Sequence, residues 1–78
     1  MTQAREPSVV ATYFGPAHDR DHATIAQTFR PGSGWRTYPG RKRISGSWAR
    51  RLRREGVTDV ALACGGRLAD FRIGELIR

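Results

Sequence analysis

VTDVALACGGRLADFRI, running from Val57 to Ile73, is the stretch that decides the fold. Two runs of strand composition flank Gly65-Gly66. A Gly-Gly pair can supply the positive φ angles that a two-residue hairpin turn demands. Pairing outward from that turn sets Cys64 opposite Arg67, Leu62 opposite Ala69 and Val60 opposite Phe71. One face then reads Val60, Leu62, Ala69, Phe71 and Ile73, an apolar set fit for a core. The other reads Asp59, Ala61, Ala63, Leu68, Asp70 and Arg72, which is more polar. A slip of one residue would exchange the two faces and bury the charges, so the hydrophobic pattern specifies the register. Gly74 to Arg78 forms a short tail of one helical turn.

Upstream of the hairpin lies an amphipathic helix. Ser45 supplies an N-cap hydroxyl and Gly56 suits the position just past the end, bracketing Ser47 to Glu55. Trp48 and Leu52 stack at i, i+4 with Ala49 beside them, and these are read as the buried stripe. Arg50 and Arg54 occupy the opposite face, Arg51 and Arg53 flank the stripe, and Glu55 reaches back to Arg51. Four arginines on so short a helix repel one another, so packing of Trp48 and Leu52 on a sheet must hold it.

Three strands are expected before that helix. Val9 to Phe14 is β-branched and aromatic and stops at Gly15-Pro16. Ala17 to His22 reads as a charged loop. Ala23 to Phe29 follows, with Ile25, Gln27 and Phe29 on one face and Thr24, Ala26 and Thr28 on the other. Pro31-Gly32-Ser33-Gly34 makes a turn, Trp35 to Tyr38 a short third strand, and Pro39-Gly40 a stop. The expected architecture is therefore α+β: an antiparallel sheet of four to five strands with one helix packed across it, in the order β-β-β-α-β-β. Residues 1–78 make one domain, with 1–7 flexible.

Composition narrows the function. Fourteen basic residues face seven acidic ones, for a formal net charge of +7, and every basic residue except Lys42 is arginine. GC-rich codon usage accounts for arginine over lysine but not for the clustering of the charge. Guanidinium groups grip phosphate or carboxylate bidentately. The basic set Arg36, Arg41, Lys42, Arg43, Arg50 and Arg54, with Tyr38 beside it, has the makings of a phosphate-binding track with an aromatic for stacking. The competing reading is a solvated charged face, with Trp35 and Tyr38 in the core.

Other chemistry finds little footing. His18, Asp19, Asp21 and His22 fall within five residues but match no standard metal spacing, and Arg20 between them opposes a cation. A polar loop is the plainer reading, so no metal and no cofactor are expected. Cys64 is alone, so no intrachain disulfide forms. It is read as a small hairpin or core residue of a reducing compartment, although it is able to link two chains after purification. No phosphate-binding Gly-x-x-x-x-Gly-Lys loop occurs, and Gly32-Ser33-Gly34 lacks the strand-to-helix setting of a nucleophile elbow. An enzyme is not expected. No apolar run suggests a signal peptide or a span, which points to the cytoplasm of a bacterial host and away from the membrane.

Thr12-Tyr13-Phe14-Gly15-Pro16, followed by Arg20 and Ile25, resembles a group of small phage and mobile-element accessory proteins of largely unknown function, whose first strand ends in Tyr-x-Gly-Pro. Asp21-His22 departs from that pattern, where small or basic residues are more usual. The resemblance implies a phage-type accessory protein and carries across no catalytic residue. Two functions are thus expected in order. The first is binding of nucleic acid through the arginine-rich face. The second is anti-defence inhibition of the anti-CRISPR type, with that face docked on an acidic host protein or ribonucleoprotein complex. A ribosomal or nucleoid accessory role ranks last, for want of a long basic tail and more lysine. The chain is expected to be a monomer or weak homodimer, through an unpaired edge strand or Cys64.

Overall fold

A computed structural model describes residues 9–15 and 23–77, in the order α1 (Val9–Phe14), β1 (Thr24–Arg30), β2 (Gly34–Thr37), α2 (Gly46–Arg54), β3 (Asp59–Cys64), β4 (Arg67–Arg72) and α3 (Ile73–Leu76). The fold class is α+β, and the four strands form one antiparallel sheet in the order β2-β1-β3-β4. The expected loop at 17–22 and the segment 1–7 lie outside the described residues.

The hairpin around Gly65-Gly66 is present in its expected register: Cys64 faces Arg67, Leu62 faces Ala69 and Val60 faces Phe71. Gly65 and Gly66 adopt φ of +59° and +78°, a left-handed pair that side chains disfavour. Val60, Leu62 and Phe71 are buried on the inner face. The chain then turns directly into α3, where Ile73 and Leu76 join the same core, and the Arg72 amide donates to Glu75 Oε2 at 3.3 Å.

The first segment corrects the sequence reading: Val9–Phe14 is a helix, not a strand. Val10 and Phe14 lie one helical turn apart and both enter the core. The ring of Tyr13 stands edge-on to Phe71, with centroids 4.9 Å apart. Packing of an i, i+4 apolar pair overrides the strand preference of the β-branched and aromatic residues in this run. Among the described residues the sheet therefore has four strands, and three helices rather than one cover its inner face.

Strand β1 carries a second correction. The register shifts between Ile25 and Gln27, so one residue, Ala26, is bulged. A bulge inverts the alternation beyond it. Ile25 and Thr28 consequently both point into the core, whereas Gln27 and Phe29 point to the opposite face. The simple alternation read from the sequence holds for Thr24 and Ile25 and fails from Gln27 onward.

Beyond β2 the chain does not leave the sheet. The Tyr38 amide donates to Ala26 O at 2.9 Å, the Ile25 amide to Lys42 O at 2.8 Å, and the Ile44 amide to Ala23 O at 3.3 Å. Thr24 and Arg43 form an isolated bridge. Residues 38–44 thus run back along β1, and buried Ile44 pins the basic segment immediately before α2. Ser45 caps α2, its hydroxyl accepting from the Trp48 amide at 3.1 Å, and Gly56 follows the helix at φ +94°. Ala49 and Leu52 are the buried residues of α2. Trp48, read as core, is only half-buried and packs against the core from the flank.

Candidate nucleic-acid interface

Sheet geometry sorts the basic residues into two sides. Residues paired across antiparallel strands project to the same side, and neighbours along a strand project to opposite sides. Arg36 pairs with buried Thr28, so it projects on the side that carries the helices, as does Tyr38 two residues later. Lys42 and buried Ile44 share that side. Arg43, bridged to Thr24, turns to the other. Arg30 also lies on the helix side. Its Nε donates to Glu55 O at 3.1 Å, at the C-terminal end of α2, and its guanidinium stands 3.7 Å from the Glu55 carboxylate. A cation at the carbonyl end of a helix is favourably placed against its dipole.

Trp48 organises the centre of the helix side. Its indole Nε1–H donates to Tyr38 Oη at 3.0 Å. Lys42 Nζ lies over the ring at 4.2 Å from the centroid and the Arg51 guanidinium at 4.6 Å. Two cations therefore gather on one indole, each attracted by the π face although they repel one another. Arg51 is also tied to Glu55, one turn along the helix, at 3.4 Å, as the sequence suggested. Lys42 has no carboxylate partner among the described residues. Both side chains, with their charged groups held over the ring, lose freedom before any ligand arrives.

Arg50 and Arg54 are exposed on the outward surface of α2, on the face opposite Ala49 and Leu52. The structure thus brings Arg36, Tyr38 and Lys42 onto the side that carries Arg50 and Arg54. Arg41 is exposed in the turn just before. Of the expected basic set this side thus gathers Arg36, Lys42, Arg50 and Arg54, while Arg43 turns to the other side. Sequence reasoning missed Arg51 and Trp48 as partners of Lys42. The signal available was their i, i+3 spacing on α2, but the approach of Lys42 depends on the return path along β1. Tyr38 and Trp48 are bound to each other through Oη and Nε1, an edge contact that fixes the rings relative to one another.

Among the described residues no group of histidine, cysteine and carboxylate side chains could hold a metal ion, and His18, Asp19, Asp21 and His22 lie outside those residues. Cys64 is 4% exposed and faces the core, as read for a small core residue, and a thiol so buried is poorly placed to link two chains. No helix among the described residues is long and apolar enough to cross a membrane. No family model, no curated protein and no solved structure matches the chain.

Proposed function

We propose that this protein is a non-enzymatic, phage-type module that binds nucleic acid through the helix-bearing side of its sheet. The observation that carries the reading is the Lys42–Trp48–Arg51 cluster, where two cations are pre-positioned on one ring beside Arg36 and the arginines of α2. A phosphodiester backbone supplies regularly spaced anions, and a track of fixed cations meets it with little further loss of side-chain freedom. Arginine predominates, which suits bidentate contacts to phosphate. Phosphate contacts carry no base information, so affinity with modest sequence preference is expected.

Fluorescence-anisotropy titrations with short single- and double-stranded DNA and RNA test this. With about four to five phosphates neutralised on duplex, log K falls with log salt at a slope of about −4. The Arg50→Glu/Arg54→Glu variant should flatten that slope by about 2 and lose most of the affinity at near-physiological salt. Absence of binding at low salt rejects the reading. It would favour the other use of the same side, docking on an acidic host protein or ribonucleoprotein, which predicts stoichiometric capture of one complex.

A further inference from the structure

The side of the sheet turned away from the helices carries Trp35 and Thr37 on β2, Gln27 and Phe29 on β1, Asp59, Ala61 and Ala63 on β3, and Leu68, Asp70 and Arg72 on β4. No helix among the described residues lies on it. Trp35 is 42% exposed and Leu68 67% exposed, two of the three large apolar side chains left in water among the described residues. Trp35 packs against Phe29 with centroids 5.4 Å apart. We propose that this face is the contact surface of a homodimer in which two sheets pack against each other.

Charge selects a second copy as the occupant. Among the described residues this face holds Arg43 and Arg72 against Asp59 and Asp70, so it is balanced, while the chain as a whole carries +7. Two copies repel one another in any approach that brings the helix sides together, and the sheet faces are where that repulsion is least. A nucleic acid is disfavoured here by the same two carboxylates.

The placement of the side chains is also self-complementary. Pairing sets Trp35 beside Phe29 and Arg72 beside Asp59, so both lie at one end of the sheet, on opposite edges. A two-fold axis running along the strands lays Trp35 of one copy over Arg72 of the other, twice, as a cation–π contact. The same axis sets Leu68 over the stem of Arg43. Small, half-buried Ala63 in the central strand lets the sheets approach.

The area sets the strength. Four strands about 4.8 Å apart and about 20 Å long give a projected face of roughly 400 Å². That is well short of the roughly 800 Å² per partner of a standard stable interface. The dimer is therefore weak and concentration-dependent, with both basic sides outward.

Sedimentation equilibrium of the full chain without nucleic acid, from about 10 µM to about 1 mM at 0.15 M salt, tests the proposal independently of the nucleic-acid reading. The expected result is a mass rising from 8.7 kDa toward twice that value. Leu68→Asp, at an exposed position, and Trp35→Ala should each weaken association by about tenfold or more, while Arg54→Glu on the helix side does not. Monomer mass across the whole range, or association that Leu68→Asp leaves intact, overturns it. Circular dichroism of each variant confirms that the fold is retained.

Discussion

Replacing Trp48 with phenylalanine keeps an aromatic ring on the flank of α2 but deletes the donor that reaches Tyr38 Oη at 3.0 Å. A half-buried hydrogen bond of this kind contributes about 1 kcal/mol net. The smaller ring removes roughly 40 Å² of contact, worth about 1 kcal/mol. Phenyl is also a poorer partner for Lys42 and Arg51, costing up to about 0.5 kcal/mol at these exposed cations. Trp48→Phe is therefore expected to destabilise the domain by about 2–2.5 kcal/mol. At about 4–8 °C per kcal/mol for a domain of this size, the melting temperature falls by roughly 8–20 °C. Urea unfolding followed by far-ultraviolet circular dichroism measures this, since the signal does not depend on the tryptophan removed. Adding Tyr38→Phe closes a double-mutant cycle, in which the coupling between the two positions should be about 1 kcal/mol. A loss under about 0.5 kcal/mol, or a coupling indistinguishable from zero, would refute the claim that Trp48 is fixed by Tyr38 and holds the cluster.

Three further outcomes are expected. Thr28 is buried in β1 and its hydroxyl makes no hydrogen bond among the described residues, so Thr28→Val should be neutral or stabilising by up to about 1 kcal/mol in urea unfolding. Gly56 follows α2 at φ +94°, where a side chain is strained although space is open around it; Gly56→Ala should cost about 1 kcal/mol in the same assay. Cys64 lies in the core, so its reaction with a thiol reagent should be slow in native buffer and rapid in denaturant, the ratio reporting the opening of the β3–β4 hairpin.

The elements that were legible in the sequence are those whose signals are local. Gly65-Gly66 fixes the turn and, through it, every pair of the last hairpin. Ser45 and Gly56 mark the limits of α2 because a cap hydroxyl and a left-handed glycine act on the adjacent backbone. What could not be read depends on contacts distant in the chain. Val10 and Phe14 enter the core beside Phe71, far along the sequence, and that packing makes a helix of a segment whose composition favours a strand. The bulge at Ala26 leaves no composition signal, yet it decides that Thr28 is buried and Phe29 is presented to Trp35. The clustering of basic residues is visible in the sequence, but their sorting onto two sides follows from the path of residues 38–44 along β1. Lys42 and Arg43 are neighbours in sequence and lie on opposite sides for that reason.

The exposed ion pairs add little to this fold. Glu55 meets both Arg30 and Arg51 at its exposed position. Such pairs are typically worth no more than about 1 kcal/mol and are screened by salt. Their use here is to orient two of the cations on the helix side rather than to supply stability.

The proposed function places nucleic acid on the helix side, over Trp48. Titrating isotope-labelled protein with a short oligonucleotide and following amide and indole N–H resonances tests it residue by residue. The two tryptophans report the two sides of the sheet, Trp48 on one and Trp35 on the other. Binding there shifts the Trp48 indole, Arg36, Tyr38, Lys42, Arg51 and Arg54, with Gln27, Thr37, Leu68 and the Trp35 indole unmoved. Shifts centred on Trp35 and Leu68, or none at all under low-salt conditions, would contradict it.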